Sequence, residues 1–384
     1  VTASDRRPRI AVYAPMKAPD HPVPSGDRQI ARGFVAALDR AGFAPALACR
    51  FRAWEGRGDA GRQARLARAG LWLADRLARH WAVRPSEERP RLWFTYHLYH
   101  KAPDWLGPAV SARLGIPYVV AEASRALKQQ HGPWARGFAA AEAALAQAAA
   151  VVAMTARGAH GLAPVVGDRL VRLAPFLADP ALTDPAPVDR AAARAALAAA
   201  HGLDPARRWL VTVAMMRPGD KLASYRLLAD AVRRLDGAPA WSLLVAGDGP
   251  ARADVAAAFA GLPVTWLGAL DPEALRTLYG AGDLFVWPGL REGYGMAYIE
   301  AQAHGLPVVA CDSGGVADVV RDGDGGRLVP PHDPAALAAA AAALLGDDAA
   351  RADQGARARR KARAEHGLDR AAATLRATLE PLLP

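Results

Sequence analysis

At about 150 residues per domain, a chain of 384 residues predicts two domains. A hydrophobic share of 52% with 22% charged residues excludes wholesale disorder, and only two cysteines, Cys49 and Cys311, exclude a disulfide framework or a thiolate zinc site and suit a reducing, cytoplasmic setting. The net charge of +10 is carried by the first half, where residues 1–177 hold 26 Lys and Arg against 13 Asp and Glu, so an anionic partner is expected on that side: lipid headgroups, a phosphorylated acceptor or nucleic acid.

An Arg- and Ala-rich composition produces the same excess without any partner. Only five cations are lysines, at 17, 101, 128, 221 and 361, so each is a candidate in its own right. No apolar run reaches about 18 residues, and no transmembrane helix is expected. The run RIAVYAP at 9–15 reads as a buried first strand, too short and too soon broken by Pro15 for a signal-peptide core. Residues 26–42 place Ile30, Phe34, Val35 and Leu38 on one helical face and close at Gly42. A second strand follows around Ala46–Cys49. Residues 60–82 form a basic amphipathic helix with Leu66, Leu73 and Leu77 on one stripe. Packing on a sheet is one reading of it; docking on an anionic membrane through Trp72 and Trp81 is the other.

Strands at 91–97, 116–124 and 149–155 alternate with helical stretches, the signature of a parallel sheet covered by helices. A proline-rich run at 179–189 marks a linker. The pattern restarts with strands at 209–216, 241–247, 264–268, 283–288 and 306–312, and with Ala-rich helices at 191–200 and 335–345. The expected domains are therefore 1–178 and 190–360, followed by a helix at 361–384 packing back on the first. Both are doubly wound α/β domains, which bind ligands at the carboxyl ends of their strands and in the cleft between them.

The most informative segment is 287–320. Glu292 sits in a loop after a strand, and Gly293 and Gly295 let backbone amides approach a ligand. A helix begins near Met296 and is ended by Gly305 and Pro307. Its N-terminus suits a phosphate. Glu300 lies about two turns into it, where a carboxylate is favoured only if it faces a hydroxyl or a cation. Two carboxylates also invite a glycoside-hydrolase reading, which requires a separation of about 5–9.5 Å. Eight residues of straight helix span about 12 Å, but Glu292 precedes the helix, so spacing alone leaves that reading open.

Glu292 and Glu300 match the E-x7-E motif of retaining GT-B glycosyltransferases. With Glu-Gly-Tyr-Gly at 292–295, Gly-Leu-Pro-Val-Val-Ala at 305–310 and Gly-Gly at 314–315, the stretch from about Trp209 to Pro331 resembles glycosyltransferase family 4, the glycosyl transferases group 1. The resemblance implies a GT-B fold, in which two Rossmann-like doubly wound domains face a central cleft, the first binding the acceptor and the second the nucleotide-sugar. It implies that Arg217 and Lys221 clamp the donor diphosphate, where preplaced cations stabilise the charge of the leaving group. Glu300 would bind the ribose hydroxyls, and Glu292 with the amides around Tyr294–Met296 the donor sugar. Gly247 and Asp248 match the strand-end turn, Leu267–Leu270 the base-contacting segment, and Gly26 in Ser25-Gly26-Asp27 the glycine that approaches the donor phosphate.

Departures fall on the acceptor side. Many members carry a histidine where this chain has Glu122; His97, His100 and Lys101 in TYHLYHK are the other candidates there. The expected activity is transfer of a sugar from a UDP- or GDP-sugar to a glycan, lipid or small-metabolite acceptor, with retention of configuration. No cofactor and no essential metal are expected, and no Asp-x-Asp motif stands out. Peripheral contact with an anionic membrane at its cytoplasmic face is one expected association; nucleic acid is not expected, since no nucleic-acid module is present. The alternatives are an inactive nucleotide-sugar-binding partner subunit and a phosphorylase or epimerase of the same architecture. The run RDGDGG at 321–326 lacks the remaining ligands of a calcium loop and reads as a tight turn.

Overall fold

The computed structural model describes residues 7–384 apart from 24, 180, 181, 183, 184 and 236. They divide into two compact units: the chain up to Ala174 together with Leu368–Pro384, and Pro175–Gly367. The division falls at Ala174 and Pro175, ahead of the run at 179–189 read as a linker; positions 180, 181, 183 and 184 of that run lie outside the described residues.

The first unit is built on strands β1 (Arg9–Tyr13), β2 (Ala44–Leu47), β3 (Leu92–Tyr99), β4 (Tyr118–Ser124), β5 (Ala150–Ala153) and β6 (Leu170–Arg172), in the order β2-β1-β3-β4-β5-β6. All neighbours pair in parallel. Strands covered on both faces must be apolar throughout, and β1 and β5 are buried almost end to end. Between them run α1 (Gly26–Arg40), α2 (Ala60–Ala82), α3 (Gly107–Leu114), α4 (Ala135–Gln147) and α5 (Ala156–Val166). Ser25, Asp59 and Thr155 cap α1, α2 and α5 by accepting the backbone N–H of the residue three positions on, the third of each helix. The strand order reverses between β1 and β3, so the loops leaving these two strands diverge and open a crevice at their carboxyl ends. The same unit holds a buried polar network. The Trp93 indole donates to Thr95, and Thr95, Tyr118 and the amides of Leu106 and Gly107 all donate to the buried carboxylate of Asp104.

Two expectations for this unit are corrected. The second strand is Ala44–Leu47, two residues earlier than 46–49. The buried face of α2 is made of Gln63, Ala67, Gly70, Ala74 and Ala78, while Leu66, Leu73 and Leu77 flank it half-buried. Small residues let the helix approach its neighbours closely: a Cβ on Gly70 would come within 2.4 Å of the Trp105 side chain. Trp81, read as a membrane anchor, instead packs edge-on to Trp93 with ring centroids 6.2 Å apart. Trp72 and Leu71 remain exposed.

The second unit contains β7 (Arg208–Val213), β8 (Trp241–Ala246), β9 (Val264–Gly268), β10 (Leu284–Val286), β11 (Val308–Cys311), β12 (Arg321–Asp322) and β13 (Gly325–Val329), in the order β12-β13-β11-β10-β7-β8-β9. Its helices are α6 (Arg190–His201), α7 (Asp220–Val232), α8 (Arg252–Ala258), α9 (Pro272–Ala281), α10 (Met296–Ala303), α11 (Pro334–Gly346) and α12 (Asp348–Glu365). Here the order reverses between β7 and β10. Asp283, just before β10, is a buried hub. It pairs with Arg190 at 2.7 Å and Arg194 at 3.0 Å, lies within 4.0 Å of Arg208 and Arg351, and accepts the Trp209 amide at 2.7 Å.

The segment 361–384 is not one helix. Residues 361–365 end α12, His366 and Gly367 break the chain, and α13 (Leu368–Leu379) belongs to the first unit. There it packs on α1, with Arg40 paired to Asp369 at 2.6 Å and Arg376 donating to the Ala41 carbonyl at 2.7 Å. His366 is fully buried in the second unit. Its Nδ1 lies 2.6 Å from the Pro175 carbonyl, so that nitrogen carries the proton, and Nε2 is buried without a partner among the described residues.

Candidate functional site

In the second unit the residues flanking the reversal of strand order come together. Lys221 stands in the first turn of α7, which follows the loop leaving β7; Glu292 stands in the loop leaving β10. The Lys221 ammonium pairs directly with Glu292 Oε1, and the Trp287 indole donates to the same oxygen at 3.3 Å. Lys221 Nζ also lies 5.4 Å from the centre of the Trp287 ring. The Glu292 loop is clamped from both sides. The Leu290 amide donates to Ser224 Oγ on α7, and the Gly315 amide donates to the Glu292 carbonyl. Arg217, in the loop after β7, is exposed, with no side-chain partner among the described residues.

Helix α10 is preceded by Gly295, whose φ of 79° suits glycine and which offers no side-chain cap. The Tyr298 amide bonds the Gly295 carbonyl at 3.2 Å, and the Met296 and Ala297 amides before it have no side-chain cap and can meet a ligand. Gly293 meets no atom within 4 Å where a Cβ would stand, so packing within the chain does not require it. Tyr294 is buried, and Gly295 and Met296 are half-buried.

Glu300 faces inward from α10 and does meet a hydroxyl, but one of this chain: Tyr279 on α9 donates to Oε2 at 2.9 Å. Burial pushes the Glu300 carboxyl up from its ordinary range, and the Tyr279 bond opposes that shift. His304 bonds the Glu300 carbonyl through Nδ1 at 2.8 Å and lies against Tyr279.

The turn at 247–249 has a structural reason for its glycine. A Cβ on Gly247 would lie 1.9 Å from the Ala214 carbonyl oxygen, because the turn is laced to the loop after β7 by the Met216 amide donating to the Asp248 carbonyl. The Asp248 side chain is exposed and accepts the Gly249 amide. Leu267 and Leu270 are half-buried at the edge strand β9 and just beyond it.

In the first unit the candidates divide. His97 Nδ1 lies 2.5 Å from Asp27 Oδ1, to which the Tyr96 hydroxyl also donates, and the His97 ring stacks on Tyr99. Asp27 Oδ2 is buried without a hydrogen-bond partner among the described residues. Asp27 follows Gly26, the first residue of α1, so this pair spans the reversal point of the first sheet. His100 and Lys101 turn to Trp134 instead, the ring at 5.8 Å and the ammonium at 4.6 Å. Burial pushes the His100 imidazole down. Glu122 accepts the Met154 amide at 2.6 Å. Tyr279, Trp287 and the pairing of Asp27 with His97 were not legible in the sequence; each joins positions distant along the chain or a side chain with no motif of its own. Among the described residues no cluster of three His, Cys, Asp or Glu could hold a metal ion.

The arrangement is that of two parallel-sheet α/β Rossmann-like domains, and the structural neighbours of the chain are GT-B glycosyltransferases. Residues 207–347, which contain Arg217, Lys221, Glu292 and Glu300, match the family described as Glycosyl transferases group 1. The chain is 40% identical over 214 residues to the D-inositol 3-phosphate glycosyltransferase of Nocardia farcinica, covering 53% of this chain and 46% of that protein. It spans less than half the length of the curated relatives it matches. Among solved structures it resembles sucrose-phosphate synthase of Thermosynechococcus elongatus, with a TM-score of 0.72, 22% identity and coverage of 98% and 99% of the two chains. It also resembles HepE of Anabaena in complex with UDP, with a TM-score of 0.70, 16% identity and coverage of 97% and 100%. At these identities the likeness concerns the fold.

Proposed function

We propose that this chain is a retaining glycosyltransferase that moves a sugar from a nucleotide-sugar, a UDP- or GDP-sugar, to a hydroxyl acceptor. The observation that carries this reading is the Lys221–Glu292 pair beside the uncapped start of α10, inside the stretch matching glycosyl transferases group 1. Lys221 and Arg217 supply the positive charge that the diphosphate needs as it leaves. The amides at the start of α10 bind its oxygens. Glu292, held by Lys221 and Trp287, is placed to orient the sugar, and Glu300, held by Tyr279, keeps a second oxygen for the ribose hydroxyls. Departure of the diphosphate and attack by the acceptor occur on the same face of the sugar, with a leaving phosphate oxygen accepting the acceptor proton. No protein nucleophile is needed. Because side-chain cations and amides provide the charge, we propose that transfer needs no metal and no cofactor.

The test is to incubate the protein with UDP-glucose and GDP-mannose, with and without magnesium, against a panel of acceptors. The anomeric configuration of the first product is then read by proton NMR. Retention, independent of magnesium, supports the reading; inversion, or no transfer from any donor, contradicts it.

One observation favours membrane contact as a second element. Helix α2 exposes Leu71 and Trp72 among Arg65, Arg68 and Arg76, an apolar strip rimmed by cations. Co-sedimentation with anionic but not neutral vesicles, lost on charge reversal of the three arginines, is the expected result.

A further inference from the structure

A pocket of about 190 Å³ opens in the first unit at the carboxyl ends of β1 and β2, walled by residues 14, 17, 18, 20–22 and 50–52. Its charged lining is Lys17, Arg50, Arg52 and Asp20, with His21 beside them. These charges do not cancel. Asp20 pairs with Arg50 at 2.5 Å. Lys17 donates to a neutral oxygen, Ser25 Oγ, at 3.0 Å. Arg52 donates through Nε to the Met16 carbonyl at 3.1 Å, and its guanidinium lies 4.9 Å over the Trp54 ring. Neither Lys17 nor Arg52 has a carboxylate partner among the described residues. Two cations held in place by neutral partners, with a third tied to one carboxylate, make an anion-binding surface.

The pocket is too small for a nucleotide, since pockets that take whole small molecules measure roughly 300–1,000 Å³. It suits one terminal anionic group. Met16, next to the lining residue Lys17, connects this region to the Asp27–His97 pair. The Tyr99 hydroxyl donates to Met16 Sδ at 3.2 Å, and the Tyr99 ring stacks on His97 at 4.9 Å. On the other side Ser25, the acceptor for Lys17, caps the helix that carries Asp27.

We infer that this pocket binds the phosphomonoester of the acceptor, with Lys17, Arg50 and Arg52 as its charge partners, and that a hydroxyl of the same molecule lies at the Asp27–His97 pair. The word acceptor rests on the glycosyl-transfer reading; the phosphate site itself does not. The phosphate comes from a small phosphorylated polyol or from a lipid headgroup, and the experiment separates the two.

Binding of inorganic phosphate, glucose 6-phosphate and glucose is measured by calorimetry on the wild type, Arg52→Gln and Lys17→Gln, each confirmed folded by circular dichroism. Sedimentation with vesicles containing phosphatidic acid forms a second arm. A nucleotide-diphosphate thermal shift on the same proteins forms a third. The expected result is that both phosphates bind, that glucose binds at least ten-fold more weakly than its phosphate, and that each variant loses about ten-fold in phosphate affinity. If only the vesicles bind, and Arg52→Gln releases them, the phosphate belongs to a lipid. If folded variants bind phosphate and vesicles as the wild type does, or neither phosphate form binds, the inference is overturned. If phosphates bind through Arg52 while no nucleotide shifts the midpoint, the phosphate site stands and the donor reading falls.

Discussion

His97 and Glu122 stand at the same level of the β3–β4 ladder, and both take left-handed backbone, with φ of 64° and 57°. They lie between the pairs Tyr96–Ala121 and Leu98–Ala123, so two adjacent strands break their extended run at one height. A left-handed conformation costs a non-glycine residue about 1–2 kcal/mol, and it persists where surrounding contacts over-determine it, typically at functional sites. Here Asp27 holds His97 and the Met154 amide holds Glu122.

If that strain is maintained for function, substitutions at His97 separate stability from activity. His97→Ala keeps the strained backbone and loses the Asp27 bond; His97→Gly loses the same bond but relieves the backbone. His97→Gly should be more stable than His97→Ala by about 1 kcal/mol in denaturant unfolding, while both lose transfer activity equally.

Removing the Lys221 charge should act on the chemical step. Lys221→Met leaves Glu292 with the Trp287 indole alone, and transfer should fall by about 10²–10³ in kcat with the fold intact. Steady-state kinetics on a protein of unchanged circular dichroism checks this.

Asp283→Asn should damage the second unit without touching its ligands. The buried carboxylate offsets Arg194, which is largely buried and has no other carboxylate partner among the described residues, and its loss leaves that charge uncompensated, while Arg351 keeps its pair with the exposed Asp348. A loss of about 3 kcal/mol is expected from urea unfolding of this unit.

His366 should make stability fall in mild acid. Burial lowers its imidazole from 6.5 to about 4. Between these values the unfolded chain takes up a proton that the native state refuses. Its contribution is therefore full above about pH 6.5, declines as pH falls, and is exhausted below about pH 4, a total of roughly 3 kcal/mol. His366→Gln should remove that part of the pH dependence of the urea midpoint.

The strands that position both candidate sites were legible because buried parallel strands must be apolar end to end. Short or half-buried elements were not: β6 and β12 are three and two residues long, and β2 is only partly buried. The face of α2 was misplaced because alanines and Gly70, not leucines, make its contact. At the site, Glu292, Glu300 and the start of α10 were marked by glycines and a helix signal within a dozen residues. Tyr279 with Glu300, and Asp27 with His97, are tertiary contacts with no local signature. Left-handed backbone at His97 and Glu122 is likewise imposed by surroundings rather than by residue type.

The most direct measurement is a thermal-shift panel of UDP, GDP, ADP and TDP on the wild type, Glu300→Ala and Tyr279→Phe. A ligand that binds the native state raises its midpoint, by more the tighter it binds at a given concentration. The account predicts that one nucleotide stabilises the wild type, that Glu300→Ala abolishes the shift, and that Tyr279→Phe reduces it. An undiminished shift in Glu300→Ala, or no shift in the wild type with any nucleotide or its sugar conjugate, would contradict the assignment of the second unit as the donor site.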